Sequence, residues 1–287
     1  MKEDRVKAIY KEVAGSYEDD LGAQMTGLWD KIINNINLTP NSRVLDLGCG
    51  TGSFIARLSQ KHAGRNISFA GIDLCDEMVM AAKSSAKAEI ERQGNKVEFK
   101  TKDAVRFLEE SDENSYDLVI TSLLLCYVRP EKIFKMIARV LKPQGIYLIV
   151  STEREGWSEF EAEFWKFLVT HLRQIKIVEA LATTATFAPR VKEMARYLNE
   201  TGFKNINIEN LQMEKQFDNP IDWLRWIDGV GLASNYFNYV KEGFKSYIID
   251  EVAKYADRNK IKCYGVPIEY GKPFTFRWKI LYATAER

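Results

Sequence analysis

RVLDLGCGTGSF, from Arg43 to Phe54, is the stretch that decides the fold. Its apolar start predicts a buried parallel strand, three glycines follow at alternate positions, and a helix-compatible run begins at Phe54. A strand that ends in glycines and continues as a helix presents free backbone N–H groups and a positive helix end to a ligand. The stretch therefore predicts a nucleotide-type binding turn on an α/β sheet.

The charge beside this turn indicates the kind of ligand. Asp46 precedes the first glycine by two residues, and the glycines run G-x-G-x-G rather than the G-x-G-x-x-G of dinucleotide sites. A carboxylate at this position repels a pyrophosphate and attracts an ammonium group. The pattern favours a cationic ligand without phosphate and disfavours a dinucleotide oxidoreductase.

The phrase DLGCGTG closely resembles the first motif of the S-adenosylmethionine-dependent methyltransferases with a Rossmann-like fold. GIDLCDEM, KTKDA, YDLVITS and LKPQG resemble later motifs of that family, in the same order. The resemblance covers the chain up to Val150 and implies S-adenosylmethionine as the cofactor and a sheet of seven strands. Strand and helix alternate over the same region, which favours a doubly wound, mostly parallel sheet in an α/β fold.

Asp73 is the strongest single candidate for cofactor binding. It ends the second predicted strand about twenty residues beyond the glycines, where a carboxylate accepts hydrogen bonds from both ribose hydroxyls. Asp76 is predicted to cap the helix that follows, over 77–91.

The resemblance implies the other cofactor contacts. Apolar residues flank the adenine, an acidic residue meets its amino group, and the end of the fourth strand lies beside the methionine part. The complete predicted set is Tyr17, Asp46, Gly48, Gly50, Asp73, Leu74, Met78, Asp103, Ala104, Ser122 and Leu123. Asp103 is also a candidate helix cap, and the two roles are compatible.

Residues 1–40 are predicted to form an N-terminal helical cap, and 41–287 the methyltransferase domain. In the family that the sequence resembles, such a segment lies over the cofactor, and Tyr17 matches an aromatic residue that often touches it. Core packing of Tyr10 and Tyr17 is the alternative interpretation.

Two helical insertions, at about 154–190 and 220–265, are predicted to form a lid. Aromatic residues are dense in these insertions, including Phe160, Phe164 and Trp223. They either line a pocket for an apolar, flat or acyl substrate or form a small core of the lid itself. A long helix is predicted over 236–255.

Methyl transfer from a sulfonium is a direct displacement, and it needs a base only when the acceptor holds a proton. Many members of the family that the sequence resembles have a histidine or an aromatic pair where this chain has Cys126-Tyr127. No histidine is present there, so the candidate bases are Tyr127, Glu153 and His171. If none of them acts, positioning alone is sufficient. His62, near the end of the first helix after the glycines, is predicted to be a surface residue.

The composition places limits on partners and location. The net charge is +1, which predicts no overall attraction to nucleic acid, and no apolar run approaches the ~20 residues that span a bilayer. The N-terminus lacks the apolar run of a signal peptide, so a cytoplasmic location is expected. The 4 cysteines form no C-x-x-C pair, and no metal site is predicted.

Three functions remain open at this point. The leading one is an enzyme that methylates O, N or C of an apolar or aromatic small molecule. A carboxyl methyltransferase acting on a carrier-protein-bound acyl group is the near alternative. The third is a cofactor-binding module without catalytic activity. The sequence does not indicate the oligomeric state.

Overall fold

A computed structural model describes residues 3–153, 155–171, 173–176, 189–230, 237, 240–241 and 243–287. The chain divides into two compact units. The first consists of Met1–Thr152, Phe187–Asn210 and Leu281–Arg287, and the second of Glu153–Thr186 and Leu211–Ile280.

Helices and strands alternate over the first half of the chain, and the second half contains helices and four more strands, two of them only two residues long. In chain order, the described elements are α1 (Glu3–Val13), a π-helical turn (Glu18–Gly22), α2 (Ala23–Asn34), β1 (Arg43–Leu47), α3 (Ser53–Lys61), β2 (Ser68–Asp73), α4 (Asp76–Arg92), β3 (Lys96–Thr101), α5 (Ala104–Glu110), β4 (Tyr116–Ser122), α6 (Pro130–Val140), β5 (Leu141–Thr152), α7 (Glu155–Thr170), α8 (Val191–Glu200), β6 (Lys204–Phe217), α9 (Pro220–Gly229), α10 (Lys245–Arg258), β7 (Lys262–Cys263), β8 (Val266–Pro267) and β9 (Phe274–Glu286).

Seven strands form one sheet in the order β3-β2-β1-β4-β5-β9-β6. β1 pairs in parallel with β2 on one side and β4 on the other, with Leu45 opposite Ala70 and Val119. The chain thus builds outward from β1 in one direction and then from β4 in the other. The crevice at this reversal of strand order is where doubly wound sheets bind ligands. The predicted α/β fold with a mostly parallel seven-stranded sheet is confirmed, and the lid stays a prediction.

Apolar side chains on both faces of the central strands hold the first unit together. Val44, Leu45 and Leu47 of β1 are fully buried, as the near-continuous apolar sequence of a central parallel strand requires. On α6, Ile133 and Ile137 lie one turn apart on the buried face. Burial of each such side chain stabilises the fold by about 1.5–3 kcal/mol, so the sheet edge that carries the glycine turn is firmly supported.

Aromatic side chains of the second unit pack against one another. Trp223 is fully buried, with its ring 5.2 Å from that of Phe160 and 4.6 Å from that of Phe274, and Phe164 lies 5.3 Å from Phe237. Edge and tilted contacts at these separations are favourable for aromatic pairs. For these residues the structure favours a core of the unit itself over the lining of a substrate pocket.

Three local expectations are wrong. His62 is buried, and its Nε2 accepts a hydrogen bond from the Leu38 backbone N–H at 3.1 Å, which satisfies a ring nitrogen away from water. Asp76 is the first residue of α4 rather than its cap, which is Cys75. The helix predicted over 236–255 begins at Lys245, since Gly243 has a φ of +84° that no helix continues; residues 236, 238–239 and 242 lie outside the described ones.

In the described part of the chain, no helix combines the length and apolar character needed to cross a bilayer.

Candidate cofactor and active site

The glycine turn follows β1 at the reversal of strand order. The backbone N–H groups of Gly48 and Cys49 both donate to the Ile72 carbonyl, at 2.7 and 3.0 Å, and so fix the turn to β2. Gly50 has a φ of +53°, and a Cβ added there would meet no atom within 4 Å. Gly52 has a φ of +77° and packs closely against α4 and β3. The turn thus presents bare backbone to open space at Gly50 and is closely packed behind it.

Asp73 ends β2 beside this turn. Its Oδ2 accepts a hydrogen bond from Gly50 N–H and its Oδ1 one from Cys75 N–H, each at 2.9 Å. Burial raises the pKa of the carboxyl above its ordinary value, and these backbone donors oppose the shift. The Leu74 backbone N–H is a third donor to this carboxyl, which leaves at least one of its four acceptor positions open. The carboxylate is therefore held in place and is still able to accept from a ligand's hydroxyl.

Asp46 is the most unusual group of the site. It is 1% exposed, and its Oδ1 has no hydrogen-bond partner among the described residues. Burial, with Asp73 nearby as a second cause, raises the pKa of Asp46 to about 8. A buried acid without a partner costs stability unless a ligand compensates for it, so the geometry indicates a cationic or proton-donating group of a ligand here.

The ends of β3 and β4 supply further predicted residues. Asp103 caps α5, with its Oδ1 accepting from the Arg106 N–H at 2.9 Å, as predicted. Leu123, directly after β4, has a φ of +56°, which is rare for a bulky side chain. Strained backbone of this kind persists where the surrounding structure enforces it and is concentrated at functional sites. The sequence carried no signal for this conformation.

Most of the predicted cofactor residues line one cavity of about 530 Å³ in the first unit. Its wall includes Tyr17, Gly48, Gly50, Asp73, Leu74, Met78, Asp103, Ala104, Ser122 and Leu123. A smaller cavity of about 50 Å³ has Asp46 in its wall and shares Tyr17, Gly48, Gly50, Ser122 and Leu123 with the large one. The structure thus brings the whole predicted cofactor set to two cavities that meet at the glycine turn.

A pair of tyrosine hydroxyls closes part of the large cavity. Tyr10 of α1 and Tyr127 of the loop after β4 lie 2.8 Å apart at their hydroxyl oxygens, and Tyr17 contacts the Tyr10 ring edge-on. Burial raises the pKa of both Tyr10 and Tyr127 well above the ordinary range. The sequence indicates only core packing for Tyr10, because its pairing with Tyr127 spans 117 positions, beyond any sequence pattern.

The other two candidate bases, Glu153 and His171, belong to the second unit. Glu153 is buried directly after β5, and its backbone N–H donates to the Lys279 carbonyl at 3.0 Å. The ring of His171 stacks on Phe167 with 4.1 Å between centroids, and its Nδ1 lies 3.1 Å from the Phe167 carbonyl oxygen. The catalytic roles of Tyr127, Glu153 and His171 stay predictions.

The donor set fits a nucleoside that carries a cationic amino acid. Asp73 beside exposed backbone suits a ribose, and the unpartnered Oδ1 of Asp46 suits an ammonium group. Among the described residues, no group of three His, Cys, Asp or Glu side chains is arranged to hold a metal ion.

Comparison with known proteins agrees with this chemistry. A family model described as a methyltransferase domain matches residues 38–216, which is more than half of the chain. Phosphoethanolamine N-methyltransferase of Plasmodium falciparum is 28% identical over 200 residues, which cover 67% of this chain and 70% of that one. The mitochondrial 2-methoxy-6-polyprenyl-1,4-benzoquinol methylase of Caenorhabditis elegans is 26% identical, over 73% and 76% of the two chains.

A solved structure shows the same fold at lower identity. Phosphoethanolamine N-methyltransferase 2 of Haemonchus contortus, in complex with phosphomonomethylethanolamine and S-adenosylhomocysteine, is 17% identical with a TM-score of 0.53. The match covers 96% of this chain and 56% of that one. On the strength of the family match, the chain belongs to the methyltransferase-domain family and is a class I S-adenosylmethionine-dependent methyltransferase.

Proposed function

We propose that this enzyme transfers a methyl group to O, N or C of an apolar or aromatic small molecule by direct displacement. One observation carries the proposal. The wall of the large cavity in the first unit contains the predicted cofactor residues Asp73 and Asp103. The same wall contains the rings of Tyr10 and Tyr127. Its volume of about 530 Å³ lies within the usual range of small-molecule sites.

The chain's contribution to such a reaction is orientation and exclusion of water. S-adenosylmethionine supplies a methyl group that is activated by the positive charge on its sulfur. Asp73 and the backbone of Gly50 would hold the nucleoside, and the aromatic rings of Tyr10 and Tyr127 would provide apolar surface for an acceptor. This arrangement requires an acceptor whose lone pair points along the S–CH₃ bond.

Tyr127 and its neighbour Cys126 are poor candidates for bases. The raised pKa of Tyr127 keeps its hydroxyl protonated near neutral pH, and burial raises the pKa of the neighbouring Cys126 thiol to about 12. Neither group therefore offers an anion to accept a proton. We infer that Tyr127 orients the acceptor by hydrogen bonding, and that the favoured acceptors are neutral amines or acidic hydroxyls and carbons.

A phosphorylated amine is the second candidate acceptor. Lys102, Arg106 and Lys132 are in the wall of the large cavity, and relatives are named for phosphoethanolamine. Each cation has a carboxylate partner, in Glu110, Glu3 and Glu109 respectively. Ion pairs as exposed as these contribute little to stability, so a phosphate group is able to replace them.

The test is a transfer assay with S-adenosylmethionine labelled in its methyl group. Phenols, quinols, hydrophobic amines, phosphoethanolamine and a carrier-bound acyl acid are offered separately, with Asp73→Ala as the inactive control. We expect label in an apolar or aromatic acceptor. Label in phosphoethanolamine alone supports the second candidate, and label in the acyl acid alone supports the carrier alternative. Tight cofactor binding with no product from any acceptor or from a metabolite extract contradicts an enzymatic function.

A further inference from the structure

The π-helical turn Glu18–Gly22 lies between Tyr17 and α2. The backbone N–H of Ala23 donates to the Glu18 carbonyl, five residues back, so the chain makes one widened turn instead of continuing as an α-helix. Single π-turns of this kind are uncommon and are frequent at functional sites. This turn fixes the direction in which the Glu18 side chain leaves the backbone.

The Glu18 carboxylate is directed toward the glycine turn. Its Oε1 accepts a hydrogen bond from the Thr51 hydroxyl. Gly22 allows this position, because a Cβ there would lie 2.3 Å from Oε2 of Glu18. The backbone of Gly22 is ordinary right-handed helix, with φ −55° and ψ −46°, so glycine is needed here for space and not for conformation.

Glu18 and Asp46 line the same small cavity. Asp46 is 1% exposed, and its Oδ1 finds no partner in the part of the chain that the structure describes. None of the described residues in the wall of this cavity is Lys, Arg or His. Two carboxylates that face a confined space without a protein cation attract a positively charged group of a ligand.

The position of the small cavity indicates which part of the cofactor this is. Asp73 and Asp103 belong to the large cavity, and Asp46 and Glu18 belong to the small one, with Gly48 and Gly50 common to both walls. A nucleoside held at Asp73 would therefore have its amino-acid end near Gly50 and Glu18.

We propose that Glu18 is a second carboxylate that, with Asp46, binds the ammonium group of the cofactor's amino-acid end. The inference rests on the binding of S-adenosylmethionine to the site described above. Glu18 thus gives the site a selectivity for ligands with a free amino group, whether they carry a sulfonium or a thioether.

Calorimetric titration with three ligands tests this. S-adenosylmethionine and S-adenosylhomocysteine both carry the ammonium group, and methylthioadenosine lacks the amino-acid end. Glu18→Gln removes the charge and keeps an acceptor for Thr51. We expect this variant to bind the first two ligands about tenfold more weakly, and methylthioadenosine less than about twofold more weakly.

Gly22→Ala is a second variant that reaches the same carboxylate without changing it. The new methyl group displaces the Glu18 side chain, so we expect the same selective loss for the two ligands with an ammonium group. Gly27→Ala on α2, where an added Cβ meets no atom within 4 Å, is the matched control and should leave all three affinities unchanged. Thermal unfolding of each variant confirms that it is folded.

The possible failures are distinguishable. If the wild-type protein binds none of the three ligands, the cofactor assignment itself is wrong. If wild type binds them and both variants leave the affinities within about twofold, Glu18 does not contact the ligand. A loss restricted to S-adenosylmethionine assigns Glu18 to the sulfonium, and an equal loss for all three ligands assigns it a structural role; either result overturns the proposal.

Discussion

Asp46 combines a stability cost with a proposed binding role. A fully buried carboxyl with an unpartnered oxygen is unfavourable in the ligand-free fold, and its raised pKa of about 8 shows that the neutral form is the better tolerated one. A cation in the small cavity reverses this preference, because it stabilises the charged form. Cofactor binding should therefore release a proton from Asp46 near neutral pH.

The stability of the ligand-free protein should depend on pH through this residue. Between the ordinary pKa of 3.8 and the native value of about 8, the native state keeps a proton that the unfolded chain has lost. The contribution of Asp46 to stability is therefore complete below about pH 4 and is lost as the pH rises toward 8, by at most ~1.4 kcal/mol per pH unit. Urea unfolding at about pH 5.5, 6.5 and 7.5 measures the slope.

Asp46→Asn is the control, since an amide of the same shape does not titrate in this range. The unfolding free energy of the wild type should fall relative to that of the variant as the pH rises from about 5.5 to 7.5. Parallel pH profiles for the two proteins would show that Asp46 is ionised in the native state and would contradict the prediction.

At the scale of the element, two glycines of the glycine turn have different roles, one in binding and one in stability. Gly50 lines both cavities and has open space around it. Gly50→Ala should therefore lower the free energy of unfolding by only ~1–2 kcal/mol, the cost of a left-handed backbone at alanine. It should weaken cofactor binding more than about tenfold. Gly52 lines neither cavity, and a Cβ there would lie 2.8 Å from Phe99 Cζ.

Gly52→Ala should therefore lose ~2–4 kcal/mol of stability and leave the affinity of the folded fraction within about threefold. Urea unfolding and calorimetry on the two variants give both quantities. The reverse assignment, with Gly50→Ala unstable and Gly52→Ala defective in binding, would show that the turn is packed differently.

The attachment of α1 to the loop after β4 depends on the hydroxyl pair of Tyr10 and Tyr127. Each single Tyr→Phe change removes one hydroxyl and leaves the other without its partner, whereas the double change removes both. A double-mutant cycle in urea should give a coupling energy of ~0.5–1.5 kcal/mol. Tyr247→Phe, at a side chain 48% exposed in the second unit, should be neutral. Strict additivity would mean that the pair does not stabilise α1.

At the scale of the whole molecule, the sequence predicted what short patterns encode. The Asp103 cap depends on a partner three residues away, and the sheet follows from the alternation of strand and helix. Asp73 contacts Gly50, 23 positions away, but its position follows a known spacing after the glycines. The buried position of His62 involves instead a hydrogen bond from Leu38, 24 positions away. The contact of Glu18 with Thr51 spans 33 positions and needed the structure.

The aromatic residues of the second half show the same limit. Composition indicates that Phe160 and Trp223 bury apolar surface, but it does not say whether a ligand or other side chains cover them. The ring contacts supply that answer, because Trp223 packs against both Phe160 and Phe274. Aromatic density alone is therefore a poor predictor of a substrate pocket.

Two buried tryptophans, one in each unit, test whether cofactor binding belongs to the first unit alone. Trp29 is 6% exposed, packs edge-on against Phe54 and lines the small cavity, whereas Trp223 is fully buried in the aromatic core of the second unit. Either change to Ala should cost ~3–5 kcal/mol of stability. Trp29→Ala should also weaken the binding of S-adenosylmethionine more than about fivefold, because it removes part of the cavity wall. Trp223→Ala should leave that affinity within about threefold. Calorimetry at low temperature, where both variants remain folded, measures the contrast; equal losses in the two variants would mean that the second unit contributes to the cofactor site.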